Sequence, residues 1–327
     1  MRDHLSTPPE PADRRDERRL GGPGRRASDA VREQSEHERE RARAEHGRSR
    51  ESPANGEPSV GTRLSAAEIH DNVKEAAKEE MRRPADELAW SALGAGLTMG
   101  FSFVAAAYLA SLAPEHLKHA ASAAGYPLGF IFVVLARSQL FTENTLDPVI
   151  PLLHERSMRM LRRTLRLWAI VLAGNMVGAV IFGVVAARTV MLPETLRASL
   201  HTVATTSTEG GFWLVAYKAI FGGWLVALMA WLIASTRLTG AQIALVWLTT
   251  APIAAFGFRH SIAGAVEAFY LAAAGSATWG AMVGAFIVPA VLGNVVGGVT
   301  LVALLNHGQV GPERERKDWR WMSGAER

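Results

Sequence analysis

The sequence predicts an all-α membrane protein: six transmembrane helices arranged as an inverted 3+3 repeat, with helices two and five interrupted. Three observations carry this. Apolar stretches recur at residues 88–112, 122–138, 165–189, 211–235, 241–257 and 279–305, each near the ~20 residues that a bilayer core demands. Two polar inserts, Leu140-Phe141-Thr142-Glu143-Asn144-Thr145 and Phe258-Arg259-His260-Ser261-Ile262, lie at matching places. Each precedes a glycine-rich segment of one pattern, Gly174-Asn175-Met176-Val177-Gly178 and Gly293-Asn294-Val295-Val296-Gly297, with Asn175 34 residues after Phe141 and Asn294 34 after His260. Polar backbone at membrane depth is tolerated only where protein covers it or it lines a cavity. Paired interruptions in corresponding halves point to a transport site at the midplane.

Before the first span the chain is polar. Residues 1–87 hold 18 basic and 20 acidic side chains, against 35 and 31 in all 327 residues. Residues 1–63 cannot bury enough apolar surface to offset ordering entropy and read as a disordered cytoplasmic tail. The net positive charge therefore belongs to the hydrophobic part and its loops. Basic pairs such as Arg14-Arg15 and Arg25-Arg26 alternate with acids, which argues against a nucleic-acid partner. The chain has no cysteine, which excludes disulfides, thiolate catalysis and cysteine-held metals. The N-terminus offers no apolar leader, so the first span is expected to direct insertion.

Residues 64–86 turn helix-friendly. Ser65 with Glu68 forms a capping-box pattern, and Ile69, Val73, Ala77 and Met81 recur every four residues. This narrow stripe suits an amphipathic helix on the membrane or the bundle, or a solvated one. The transmembrane domain then occupies 87–307, and 308–327 form a C-terminal cytoplasmic tail.

Spans two and five are the broken ones. Residues 145–153 continue the helix that starts at 122, and residues 262–274, too short to span alone, continue the one that starts at 241. Orientation follows from the basic residues of short loops. Arg156, Arg159, Arg162, Arg163 and Arg166 follow span two, Arg82 and Arg83 precede span one, and Arg314, Arg316, Lys317 and Arg320 follow span six. Both termini are thus expected on the cytoplasmic side of a cell membrane, and spans one to three and four to six run with opposite topology. Gly94, Gly96, Gly174, Gly178, Gly222, Gly223, Gly293 and Gly297 suit close helix approach.

Taken together, the Leu-Phe-Thr-x-x-Thr insert, both Gly-Asn-x-Val-Gly segments and the stretch Gly257 to Ile262 resemble the formate/nitrite transporter family, over about residues 85–306 and in the family's order. The resemblance implies an aquaporin-like fold, a homopentamer with one pore per protomer, and passage of small monovalent weak-acid anions together with protons. It implies that His260 is the central histidine and Thr142 the threonine of the first break. Leu140 and Phe141 then shape a hydrophobic constriction, with Tyr126, Phe130 and Ile253 at the other narrow points. Two departures stand out. Arg259 occupies the place of a carboxylate found before the histidine in many relatives. No lysine stands near Ser207, where several relatives carry one in the vestibule, and Lys218 lies about three turns further on.

The chemistry of the residues is consistent with this. A bare anion in an apolar passage meets a desolvation cost of several kcal/mol. Fixed positive potential or a transferred proton lowers it. His260 is the sole histidine in these stretches, and imidazole titrates near neutrality. The expected mechanism has His260 relaying a proton to the anion, with Thr142 adding a hydroxyl from the opposite half. The competing reading is a buried histidine that ties loop to helix. Asn175 and Asn294 read as braces of the interrupted backbone. Glu143 and Arg259, one in each break, are candidates to pair. Arg137 and Glu267 read equally as helix-end residues snorkelling to the headgroups. No cofactor or metal is implied, and no pair of carboxylates or nucleophile with its base supports an enzyme. The alternatives are a membrane scaffold or sensor with a closed pore, or a channel for neutral solutes.

Overall fold

The computed structural model describes residues 64–305 and Val310; the expected tail at 1–63 and most of 308–327 lie outside the described residues. All the regular secondary structure among the described residues is helical, with no strand.

Helix α1 (Ala66–Glu80) opens with both bonds of the capping box: the Glu68 amide donates to Ser65 Oγ at 3.3 Å, and the Ser65 amide to a Glu68 carboxylate oxygen at 2.7 Å. Its apolar stripe is docked on the bundle. Ile69 and Val73 pack with Leu146, Ile150, Trp231 and Val302, while Ala77 and Met81 join the main core. Pro84 then starts α2 (Ala85–Leu112), where its fixed φ and missing N–H cost nothing at a helix entry.

A 3-10 turn, Glu115–Leu117, leads into α3 (Lys118–Gly125) and α4 (Leu128–Leu135), which form one apolar run, Glu115–Leu135. This run begins earlier than residue 122. It stops at Arg137, a left-handed residue with φ of 51°. The second half of the broken span, expected at 145–153, starts four residues later: Glu143–Thr145 is a 3-10 turn, and the short helix α5 is Val149–Glu155. Pro148 sits at the N-cap of α5, where a residue without an amide hydrogen suits the start of a new helix and not the middle of an old one.

Helix α6 (Met158–Arg188) is capped by Ser157, whose Oγ accepts from the Met160 amide at 3.2 Å. It starts seven residues before the expected span, because the arginine-rich stretch is its first turns. Helix α7 (Glu194–Thr208) was not anticipated. Helix α8 (Phe212–Ile233) follows, then α9 (Thr239–Ala255), with Pro252 inside it, and α10 (Ser261–Ala273). The last apolar run comprises α11 (Trp279–Ala281), a π-helical segment Met282–Ile287, and α12 (Val288–Leu304).

Among the described residues, five helical runs are long and apolar enough to cross a membrane: Ala85–Leu112, Glu115–Leu135, Met158–Arg188, Phe212–Ile233 and Trp279–Val302. Helices α9 and α10 are shorter, at 17 and 13 residues. The most extensive packing joins α2 with α6 and α8 with α12. Both contacts depend on glycine. A Cβ on Gly96 would overlap the Asn175 backbone, and one on Gly223 the Asn294 backbone. Such contacts replace the hydrophobic drive that lipid does not supply.

Candidate functional site

Each interruption leaves backbone donors and acceptors that no helix satisfies, and one asparagine repairs each. Asn175 accepts the Phe141 amide on Oδ1 at 2.8 Å and donates Nδ2 to the carbonyls of Gln139 (2.9 Å) and Ala92 (2.7 Å). Asn294 accepts the Ser261 amide at 2.8 Å and donates to the carbonyls of Arg259 (3.0 Å) and Ala219 (2.7 Å). The two sets correspond bond for bond, and both side chains are fully buried. One carboxamide offers the acceptor and paired donors that such a break needs.

The two breaks meet at His260. Its ring caps α10: Nδ1 accepts the Ala263 amide at 3.1 Å. A nitrogen that accepts carries no proton, so the neutral ring holds its proton on Nε2. Nε2 lies 2.7 Å from Thr142 Oγ1 and donates to it. The Thr142 hydroxyl hydrogen then remains for another acceptor. Thr142 is itself held by its carbonyl, which accepts the Thr145 hydroxyl at 2.7 Å. The Phe130 ring stands edge-on to the imidazole with centroids 4.9 Å apart, and Tyr126 lies against Phe130.

A cavity of about 590 Å³ ends at this point. Its floor is Tyr126, Arg259 and His260, with Gly264 and Glu267 of α10. One wall is α7, which turns Thr195, Ser199, Thr202 and Thr206 toward it. Leu140 and Phe141, just before Thr142 in the chain, are sealed from solvent, with Phe141 against Trp168. The Trp168 indole donates to the Asn144 carbonyl at 2.7 Å. A hydroxyl-lined chamber thus reaches the imidazole of an imidazole–hydroxyl pair, next to which stand buried apolar side chains.

The residues singled out in the sequence divide. Tyr126, Arg259 and His260 line the cavity; Phe130 and Thr142 touch His260; Leu140 and Phe141 adjoin Thr142 in the chain. Ile253 is buried in the core of α9, where its carbonyl accepts the Phe258 amide at 2.8 Å. Lys218 is half-buried and is not part of the cavity wall; its carbonyl accepts the Arg259 amide at 3.4 Å. The suggested Glu143–Arg259 pair is not formed. Arg259 turns to the carbonyls of Thr206 and Glu209, while one Glu143 carboxylate oxygen is buried without a partner.

Glu267 corrects the snorkelling reading. It is 3% exposed, lines the cavity and accepts the Ser207 hydroxyl. The spacing held a signal: His260, Gly264 and Glu267 fall at i, i+4 and i+7, one face of a helix. Arg137 is exposed.

Comparison with known proteins now bears on this geometry. The family model described as formate/nitrite transporter matches residues 67–308. The chain belongs to that family. It is 32% identical over 261 residues to the inner membrane protein YfdC of Escherichia coli, covering 77% of this chain and 81% of that protein. To a probable formate transporter of Methanothermobacter thermautotrophicus it is 30% identical over 247 residues, covering 64% of this chain and 87% of the relative. Among solved structures it is similar to a pentameric formate channel with formate bound, at TM-score 0.55 and 21% identity, over 71% of this chain and 96% of that one. A second, an FNT family ion channel, gives TM-score 0.61 at 22% identity, over 72% and 96%. These structures share the fold. The family is one of channels and transporters, and as a member of it the chain is a multi-pass membrane protein.

Proposed function

We propose that this protein conducts small monovalent weak-acid anions of the formate and nitrite kind. In this reading six crossings form an inverted 3+3 repeat, with α3–α4 and α5 as the broken second crossing and α9 and α10 as the broken fifth. The corresponding asparagine bonds in the two halves support it. So does the resemblance to a pentameric formate channel, from which we infer a homopentamer with one pore per protomer in a cell membrane. Both termini face the cytoplasm, as the arginine-rich loops argue.

The observation that carries the reading is the buried 2.7 Å contact between His260 Nε2 and Thr142 Oγ1, which joins the two interruptions at the closed end of a cavity. An anion arriving there meets the Thr142 hydroxyl, polarised by the imidazole behind it. Once His260 has taken up a proton at Nδ1, the imidazolium passes its Nε2 proton through Thr142 to the anion, and a neutral acid crosses Leu140 and Phe141 at far lower desolvation cost. The uptake at Nδ1 requires the Ala263 amide to be released, and the transfer leaves a neutral ring with its proton on Nδ1, which is lost there as Nε2 regains one. Protonation of His260 and opening of the α10 cap are therefore one event.

Reconstitution into proteoliposomes tests this, with uptake of formate and nitrite followed together with internal pH. His260→Phe should abolish uptake while the oligomer, checked by size exclusion, stays intact. Undiminished flux with an unaltered pH profile in that variant would sink the mechanism.

A further inference from the structure

Two charged side chains of the cavity play no part in the His260–Thr142 bond. Arg259 is 6% exposed and Glu267 3%, and both line the same chamber. No ion pair among the described residues joins them. Each is instead moored to α7. Arg259 Nη2 donates to the carbonyls of Thr206 (3.2 Å) and Glu209 (2.9 Å), and Glu267 Oε2 accepts the Ser207 hydroxyl. Each also keeps a free end. Arg259 Nε is sealed without an acceptor, whereas Nη1, which is not sealed, donates to no described residue. Glu267 Oε1 is likewise unsealed and accepts from none. A cationic donor and a carboxyl oxygen therefore remain open in one chamber, beside the histidine.

We propose that Arg259 and Glu267 form an anion-docking site in the cavity, at which Arg259 Nη1 holds an oxygen of a small monovalent carboxylate or nitrite and protonation of Glu267 sets the affinity. This deepens the transport reading above and rests on it. With Glu267 ionised, the two side chains sum to zero and the carboxylate repels the guest. With Glu267 neutral, the site carries one net positive charge, and the carboxyl O–H becomes a second donor to the anion. Anion binding and proton binding then favour each other reciprocally, so the anion enters together with a proton, before it reaches His260. Arginine suits this role because it stays charged even where burial would neutralise a lysine.

Other titratable groups face the same chamber: Glu115, Lys118 and His119 at its mouth, Tyr126 and His260 at its floor. Lys118 is paired with Glu115 at 2.6 Å, and His119 is bonded to the Ala255 carbonyl at 2.9 Å. Apart from His260, whose loss abolishes uptake altogether, His119 is therefore the group whose part must be separated from that of Glu267.

The test is formate uptake by the full chain in proteoliposomes, with KM expressed per formate anion across the weakly acidic to neutral range. The unsubstituted protein should show a KM that falls as pH falls. Glu267→Gln, which keeps the Ser207 bond, should give a low KM that no longer responds to pH. Arg259→Gln should raise KM on the order of tenfold at every pH, and Arg259→Lys should recover part of that loss. His119→Gln should leave the slope in place. An unchanged KM in an assembled Arg259→Gln protein, a retained slope in Glu267→Gln, or loss of the slope in His119→Gln would overturn the inference and leave transport standing. Failure of the unsubstituted protein to take up any small anion would overturn both.

Discussion

Thr142 shows how much one hydroxyl does here. It accepts the only proton that a neutral His260 offers, since Nδ1 is occupied by the Ala263 amide. Thr142→Val keeps the shape and removes the oxygen, leaving Nε2–H buried beside an apolar side chain. An unsatisfied buried donor costs about 1–3 kcal/mol, so the detergent-solubilised protein should melt at lower temperature. Anion uptake should fall by about tenfold or more, as for the loss of a transition-state donor. Thr142→Ser restores the hydroxyl and should recover uptake; if it does not, the hydroxyl is not the group that matters. At this scale the sequence was partly legible. Polar residues inside apolar runs cannot be there for packing, so Thr142 and His260 stood out. Glu267 did not, because an acid at the assumed rim of a span has an inexpensive explanation at the headgroups. Only the folded chain shows that α10 carries it inward with His260.

At the scale of elements, the two asparagines make the strongest case for a repeated design. Asn175 and Asn294 each satisfy one amide and two carbonyls from corresponding positions. If the halves carry equal shares of the fold, Asn175→Ala and Asn294→Ala should destabilise to a similar degree, by about 3 kcal/mol each for three lost bonds, read as thermal unfolding of the purified oligomer. A large inequality would mean that one break is held by other contacts. The glycines follow the same logic, since Gly96 and Gly223 bring helix backbones onto the two asparagine-bearing segments. Long apolar helices and the places where they stop were readable, because both follow from the cost of polar backbone in lipid. Helix α7 was not. Its buried Leu196, Leu200 and Ala204 make a stripe too thin to stand out beside whole apolar spans. Its opposite face bears the hydroxyls that line the cavity, and its C-terminal end holds Glu267 by the Ser207 hydroxyl and Arg259 by the Thr206 and Glu209 carbonyls. The second half of the first broken span was placed from residue 145 and begins at Val149, because Glu143–Thr145 closes as a 3-10 turn and Pro148 suits a helix start.

For the whole molecule, the question is which parts the conducting unit needs. The family match begins at residue 67, one residue into α1, and α1 is no mere leader: Ile69 and Val73 share a core cluster with Leu146 and Ile150 next to the first break. Burying two such side chains contributes about 1.5–3 kcal/mol each, and they abut the segment that carries Thr142. Two truncations therefore separate. Removing residues 1–63 leaves every described contact in place, and anion uptake should be unchanged. Removing residues 1–84 strips α1 from the break, uncovers Leu146 and Ile150, and should lower the melting temperature by several degrees, with slower uptake. Proteoliposome flux and thermal melts of the two proteins decide it. Loss of uptake on the shorter deletion would place an essential part of the machinery in the charged N-terminal segment, and the pore described here would then not be sufficient.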